Sequence, residues 1–301
     1  MLTVRTVPEL RHALAPARRA GARIGLVPTM GALHDGHLSL LRHGRGQCDT
    51  LVMSLFVNPR QFTDAGDLAG YPRDEARDLA LAAQAGTDVV FAPAPDAVYP
   101  PSFATTVSVA GPADGLEGAH RGHGHFDGVA TVVTKLLNMV GPDVAWFGAK
   151  DAQQVAVIRR LVADLDMPVT IEVRPTVREP DGLAMSSRNV LLSAEQRARA
   201  RALFDALRSV REAADQGVDD PASATATGRA LLAAAGAETE YLELVDPETM
   251  APLQRLDRDA LAVVAARIGV VRLIDNLAIP LRHSNHHPDH VVATPSGAST
   301  A

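Results

Sequence analysis

His34 and His37 stand three residues apart in the stretch LVPTMGALHDGH, Leu26 to His37, with Gly36 between them. Imidazoles at that spacing on a helix start share one face. The first turn of a helix also presents unpaired N–H groups and the positive end of its dipole, so the combination favours an anion such as phosphate. Gly36 keeps the backbone bare, so that a bulky ligand can come close. The pattern is neither a Walker loop, which needs GxxxxGK[ST], nor the dinucleotide GxGxxG. Paired histidines at a helix start are also ordinary surface residues, so the decision rests on other segments.

Four such segments carry residues that packing does not explain. In FVNPRQF, Asn58 and Gln61 follow an apolar strand, where open α/β sheets bind ligands. Amides there orient a polar substrate by donating and accepting at once, or the asparagine merely caps its own turn. FGAKDAQQ, residues 147–154, repeats the strand-to-helix arrangement: Gly148 allows close approach, Lys150 is a cation set against the helix dipole, Asp151 is a good cap, and Gln154 faces the same mouth one turn on. A lysine so placed makes sense with an anion beside it. DGLAMSSRN, Asp181 to Asn189, is a loop that offers Ser186, Ser187 and Arg188 as phosphate donors, or is an incidental surface loop. YPRDEARD, from Tyr71, offers Asp78 as a carboxylate for Mg2+.

Alternating strands and helices must position these groups. An amphipathic helix over 8–20 is followed by a strand, Ile24 to Val27, that Pro28 stops, and by a helix from about Asp35 to Gly46. Thr50 to Val57 and Asp88 to Ala92 read as apolar strands flanking a helix from Arg73 to Ala85. A strand over 105–109, a Gly/His-rich loop over 111–124 and a helix from Val129 to Val140 come next. Then follow a strand from Val144 to Phe147, a helix from Ala152 to Leu165 and a strand from Val169 to Val173. The alternation predicts an α/β fold with an open parallel sheet, covering 1–176. Beyond it the composition shifts. A long helix from Ala194 to Ala214, another from Pro221 to Ala235, and strands Glu240 to Val245, Leu261 to Ala266 and Val270 to Ile279 predict a smaller α+β domain over 177–281. Residues 282–301 have nothing to bury and are expected to be disordered, and His283, His286, His287 and His290 there suit a transition metal by composition alone.

Composition narrows the class. A chain of 301 residues suits roughly two domains, and 47% apolar with 21% charged residues is ordinary for a soluble globular protein. The net charge of -6 gives no footprint for nucleic acid or an anionic membrane, so any anion needs a local site. A single cysteine, Cys48, excludes an internal disulfide and a multi-cysteine zinc site. The charged N-terminus and the lack of a long apolar run predict a cytoplasmic protein.

The HxGH stretch resembles the nucleotidyltransferases related to class I aminoacyl-tRNA synthetases. PTMGALHDGH, FVNPRQF, YPR, HFDGVATVV, FGAKDAQQ, PTVREPDGLAMSSRN, YLELVD and VRLIDN, in that order, closely resemble the pantoate–β-alanine ligase family. The resemblance spans about residues 20–280. It implies a Rossmann-like N-terminal domain with a smaller C-terminal lid, usually as a homodimer. It implies Mg-ATP as co-substrate, attack of (R)-pantoate on the α-phosphate to give pantoyl adenylate and pyrophosphate, and displacement of AMP by β-alanine.

By the same resemblance Pro28 and the run Met30, Gly31, Ala32, Leu33, His34, Asp35, Gly36 and His37 line the ATP site, with His37 as proton donor. His34, Lys150 and Arg188 match phosphate contacts. Gly148, Ala149, Lys150 and Asp151, together with Met185, Ser186, Ser187 and Arg188, match ATP-binding segments, and Val177 an adenine contact. Gln61 and Gln154 match pantoate-binding positions, with Asn58 and Met30 beside them. MSSR stands where wider relatives carry KMSKS. Ala149 replaces the usual glutamate and Val271 a frequent threonine. Adenylation of a carboxylate needs alignment and neutralised phosphate charge, so His37 serves as a hydrogen-bond donor without being a strong acid. Other HxGH nucleotidyltransferases and a non-catalytic nucleotide-binding module are the competing readings. The first would call for more arginine and lysine than Asn58, Gln61 and Gln154 supply.

Overall fold

The computed structural model describes residues 1–281, so the four tail histidines lie outside the described residues. The first half contains β1 (Leu2–Val4), α1 (Val7–Arg19), β2 (Ile24–Thr29), α2 (Asp35–Arg45), β3 (Thr50–Leu55), α3 (Ala65–Gly70), α4 (Glu75–Gln84), β4 (Val89–Phe91) and α5 (Pro95–Val98). Then come α6 (Glu117–Arg121), α7 (His123–Val140), β5 (Val144–Gly148), α8 (Ala152–Asp164) and β6 (Thr170–Arg174). The remainder is α9 (Ala194–Ala200), α10 (Ala202–Asp215), α11 (Pro221–Ala234), β7 (Glu238–Val245), β8 (Ala260–Ile268) and β9 (Val271–Ile279).

The first six strands form one parallel sheet in the order β1-β4-β3-β2-β5-β6. Successive residues of a strand face opposite sides, and the apolar runs are buried on both. Leu26, Val52, Ala145 and Phe147 pack with Leu10 and Leu14 of α1, Val129 and Val133 of α7 and Ile158 of α8. Val27, Leu51, Met53 and Trp146 pack on the other face with Leu38 and Leu41 of α2 and Ala82 of α4. A separate core lies between α10, α11 and the antiparallel sheet β7-β8-β9. Leu116 and Ala156 of the first part join Tyr241, Val245, Met250, Val263 and Ala265 of the second in a bridging cluster. Among the described residues no helix is long and apolar enough to cross a membrane.

Several local expectations give way to tertiary context. β2 does not stop at Pro28 but runs on to Thr29. The carbonyls of Arg23 and Thr29 accept from β3-side amides and that of Ile24 from Asp143, so even-numbered residues of β2 face β5. Pairing with β5 extends only over Gly25 and Leu26, so the missing N–H of Pro28 costs no ladder bond. Residues 105–109 are extended but pair with no strand; Val107 N–H donates instead to Thr131 Oγ1. The expected loop over 111–124 contains α6, and α7 begins at His123 rather than Val129. The long helix predicted over 194–214 is two, α9 and α10, joined at Arg201, a break that nothing in the local sequence explains. β1, unmarked in the sequence because three residues show no periodicity, pairs with β4.

Between β2 and β5 the strand order reverses, β3 and β4 running outward on one side and β6 on the other. A crevice opens at the carboxyl ends of the strands at such a point. Both histidines follow β2 and the FGAKD turn follows β5, so the two anion-directed motifs flank one crevice.

Candidate active site

His34 is the N-cap of α2 and builds an unusual capping box with His37. The Gly36 amide donates to His34 Nδ1 at 3.1 Å, and the His34 amide to His37 Nδ1 at 3.4 Å. The rings lie 4.1 Å apart between centroids. Burial, then the charge of Lys150, lowers the His34 pKa; burial, then His34, lowers that of His37 from 6.5 to about 3. Both are neutral at pH 7. Since each Nδ1 accepts, each ring carries its hydrogen on Nε2 and has a donor left for a ligand. Gly36 reaches the cavity wall, and a Cβ there would also lie 2.8 Å from the His34 ring.

Asp78 does not wait for a metal. It is 1% exposed, and its two oxygens accept from the Ala32 and Leu33 amides at 2.9 and 2.8 Å. The expectation of a Mg2+ carboxylate is therefore corrected. Asp78 holds the turn that delivers His34, which a burial-blind reading of a helix surface cannot distinguish from a solvated carboxylate.

At the other end of the crevice Asn58 is 1% exposed and caps its own turn, Oδ1 accepting from the Arg60 amide and Tyr99 Oη. Its Nδ2 donates to Gly128 O and to Gln61 Oε1, both at 3.0 Å. Both polar side-chain atoms of Asn58 are thus engaged, and it aims Gln61, whose Nε2 reaches Met30 Sδ at 3.0 Å. Helix α7 comes so close that a Cβ on Gly128 would meet Arg60 O at 2.2 Å, so only glycine fits.

Lys150 lies in the short 3-10 turn Ala149–Asp151 and approaches Asp151 Oδ1 at 3.4 Å. Asn276 of β9 fixes that turn by donating to Ala149 O and Lys150 O at 2.9 and 2.8 Å. The MSSR loop is shaped by an isolated bridge, Arg178 with Ala184, and by the Met185 amide donating to Val177 O. Arg178 forms a bidentate pair with Asp275, at 2.6 and 3.0 Å. Ser186 caps the turn that follows, accepting from the Arg188 amide. Arg188 reaches across the mouth to Asp67 Oδ2 of α3 at 3.0 Å.

These groups meet in one cavity of about 280 Å³. From the first motif Pro28, Met30, His34, Gly36 and His37 reach its wall; Gly31, Ala32, Leu33 and Asp35 do not, Leu33 being 1% exposed in the core behind. Asn58, Gln61 and Gln154 line it, as do Gly148, Lys150 and Asp151. Ala149 stays off the wall, engaged through its carbonyl. Val177, Met185, Ser186, Ser187 and Arg188 complete the opposite side.

Sequence reasoning missed a charged group on the same wall. Glu117 Oε1 and Oε2 take Arg272 at 2.6 and 2.7 Å, Oε2 takes Arg121 Nε at 2.8 Å, and Oε1 takes Tyr241 Oη at 2.8 Å. Burial alone would raise the Glu117 pKa, but Arg272, Arg121 and Tyr241 outweigh it and hold the carboxyl at about 2. Glu240 extends the network to Arg272 and Arg267. Nearby, His125 Nδ1 donates to Gln61 O at 2.7 Å. The one signal was the density of charge and histidine in GLEGAHRGHGHF, which has no period to show its direction.

Two anion-directed turns at a sheet's switch point, neutral imidazole donors and a Ser–Arg loop facing them are the arrangement of a nucleotidyl-transferring α/β enzyme. The family model "Pantoate-beta-alanine ligase" matches residues 2–278. A pantothenate synthetase of Cereibacter sphaeroides is 55% identical over 277 residues, 92% of this chain and 99% of the relative. That of Acidiphilium cryptum is 53% identical over 93% of this chain and all of the relative. Among solved structures, the pantothenate synthetase of Thermus thermophilus is 48% identical over 93% of this chain and 100% of its own, with a TM-score of 0.88. The pantoate-beta-alanine ligase of Francisella tularensis, solved in complex with beta-gamma ATP and beta-alanine, is 33% identical over 92% and 97%, with a TM-score of 0.78. The chain belongs to the pantoate–β-alanine ligase family.

Proposed function

We infer that this chain condenses (R)-pantoate with β-alanine to pantothenate, with ATP as co-substrate and AMP and pyrophosphate as products. The observation that carries the reading is one cavity lined both by cationic and neutral N–H donors, His34, His37, Lys150 and Arg188, and by an amide pair, Gln61 and Gln154. A carboxylate that attacks the α-phosphate needs no protein nucleophile. It needs to be held in line, which Gln61 and Gln154 do through the pantoate hydroxyls and carboxylate. Charge that grows on the phosphates as pyrophosphate departs is met by the Nε2–H groups of His34 and His37, by Lys150 and by the hydroxyls of Ser186 and Ser187. A neutral His37 donates a hydrogen bond throughout and delivers no proton. Asn58 acts by aiming Gln61. Arg188 exchanges Asp67 for phosphate when ATP enters, and residues 177–281 serve as the lid on the catalytic part, 1–176.

Among the described residues no cluster of three or more His, Cys, Asp or Glu side chains is placed to hold a metal. A Mg2+ that arrives on ATP needs only one or two carboxylates besides phosphate and water. Asp151 fits: it lines the cavity with Lys150 as its ion-pair partner, whereas Glu117 and Asp275 are buried against arginines. The ion, once bound, offsets phosphate charge. A homodimer working in the cytoplasm completes the reading.

Pantoate-dependent exchange of labelled pyrophosphate into ATP, without β-alanine, tests the assignment. Exchange that needs pantoate is the expected result; exchange with a different acid and none with pantoate refutes it.

A further inference from the structure

Lys150 is a largely buried cation with little to hold it. Its side chain is 18% exposed, and of its three ammonium hydrogens one finds a partner among the described residues, the half-exposed Asp151 carboxylate at 3.4 Å. A four-carbon stem so loosely tethered takes its place from its backbone. That backbone lacks local support: the turn Ala149–Asp151 has no side-chain cap, and neither has α8 behind it.

The support comes from the C-terminal part. β9 is an outer strand of the antiparallel sheet, and Arg272, Ile274 and Asn276 alternate on its face toward the parallel-sheet part. Arg272 pairs with Glu117, Ile274 packs in the bridging cluster, and Asn276 Nδ2 donates to Ala149 O at 2.9 Å and to Lys150 O at 2.8 Å. Asn276 lines the cavity, yet both hydrogens of its amide are taken by backbone, so it offers a ligand no donor. On the opposite face of β9 Asp275, 5% exposed, grips Arg178. That guanidinium stacks on Phe204, 3.9 Å from the ring centroid, and donates to Gly182 O at 3.1 Å. Asp275 Oδ1 also accepts from the Asn276 amide at 2.8 Å. Two adjacent residues of one strand therefore fasten both the Lys150 turn and the base of the Ser186–Arg188 loop.

We propose that Asn276 is the positioning residue for Lys150: reaching across from β9, it fixes the backbone of the Ala149–Asp151 turn so that the ammonium meets the phosphates in register with the Ser186–Arg188 loop. This rests on the ligase reading above. The charge of a departing pyrophosphate develops on oxygens that both segments must meet at once, and a misplacement of about 1 Å costs about 10²-fold in rate. With β9 as a common strut the two segments keep one spacing.

A double-mutant cycle on the full-length chain tests this: wild type, Asn276→Ala, Lys150→Ala and the double variant, in pantoate-dependent pyrophosphate exchange at saturating substrates. Active sites are counted by the burst of pyrophosphate released on mixing with ATP and pantoate. For Asn276→Ala the exchange rate per active site is expected to fall about 10–10²-fold. In the Lys150→Ala background the same substitution is expected to cost less than about 3-fold, since the group it positions is gone. Should Asn276→Ala fail to fold, Asn276→Asp, of the same shape with a carboxylate that donates nothing, takes its place in the cycle. Equal losses with and without Lys150 would overturn the proposal. So would fewer active sites at an unchanged rate per site, the mark of a residue that only supports the fold. Wild type without pantoate-dependent exchange refutes the ligase reading instead.

Discussion

Asp78→Asn separates a structural carboxylate from a metal ligand by changing one atom. Asp78 is 1% exposed and offers one oxygen to each of two amides, Ala32 at 2.9 Å and Leu33 at 2.8 Å. The amide isostere keeps one acceptor, now neutral, and turns an NH2 group toward the other N–H. A hydrogen bond to a charged group contributes about 1.5–3 kcal/mol, and a buried donor left unpaired costs about 1–3 kcal/mol. Losing one such bond and weakening the other therefore comes to about 3–4 kcal/mol. For a chain above 250 residues this lowers Tm by about 6–16 °C. Thermal unfolding followed by circular dichroism reads this directly, and exchange assays over a Mg2+ titration at a permissive temperature give the second readout. The apparent Mg2+ requirement should not move, because the carboxylate faces backbone. A Tm within about 2 °C of wild type together with a Mg2+ requirement raised tenfold would refute the structural role and restore Asp78 as a ligand.

Lys150→Ala and His37→Ala should remain folded and lose about 10²–10³-fold in pyrophosphate exchange, as expected for one lost charge-stabilising donor; near-full turnover in either would remove it from the phosphate site. Gln61→Ala or Gln154→Ala should weaken pantoate use in the same assay while calorimetric ATP affinity stays within about 3-fold, since amides left unpaired penalise only the acid; collapse of ATP binding with pantoate dependence intact would move the glutamines to the nucleotide. The folded pKa of His37, about 3, lies below its ordinary 6.5, so the folded state binds fewer protons there: its contribution is complete above pH 6.5 and is lost as pH falls toward 3. The guanidinium-denaturation gap between wild type and His37→Gln should accordingly narrow from pH 7.5 to pH 5; a constant gap would mean that the ring is not held neutral.

The sequence by itself determined the central strands β2 to β6 and the longer helices between them, and marked the strand ends expected to meet anions; β1 and α6 carried no such mark. Apolar runs such as Thr50 to Leu55 suit strands buried on both faces of a parallel sheet, and the joint at His34 follows from local capping chemistry, whereas Asp151 makes no side-chain cap and the joint at Lys150 is fixed by Asn276 of β9. Tertiary structure alone decided partnership. Whether a carboxylate is solvated or buried against amides, as with Asp78, depends on a turn 45 residues away. Pro28 sits inside a strand because β5 ends its pairing at Leu26, which β2 cannot encode. The engagement of Asn58 with Gly128 and Tyr99, and the capture of Glu117 by Arg272 across 155 residues, are long-range in the same way. Charge has no period along a chain: local backbone preferences write the elements into neighbouring residues, while the pairing of buried polar groups is settled only when distant segments lose their water together.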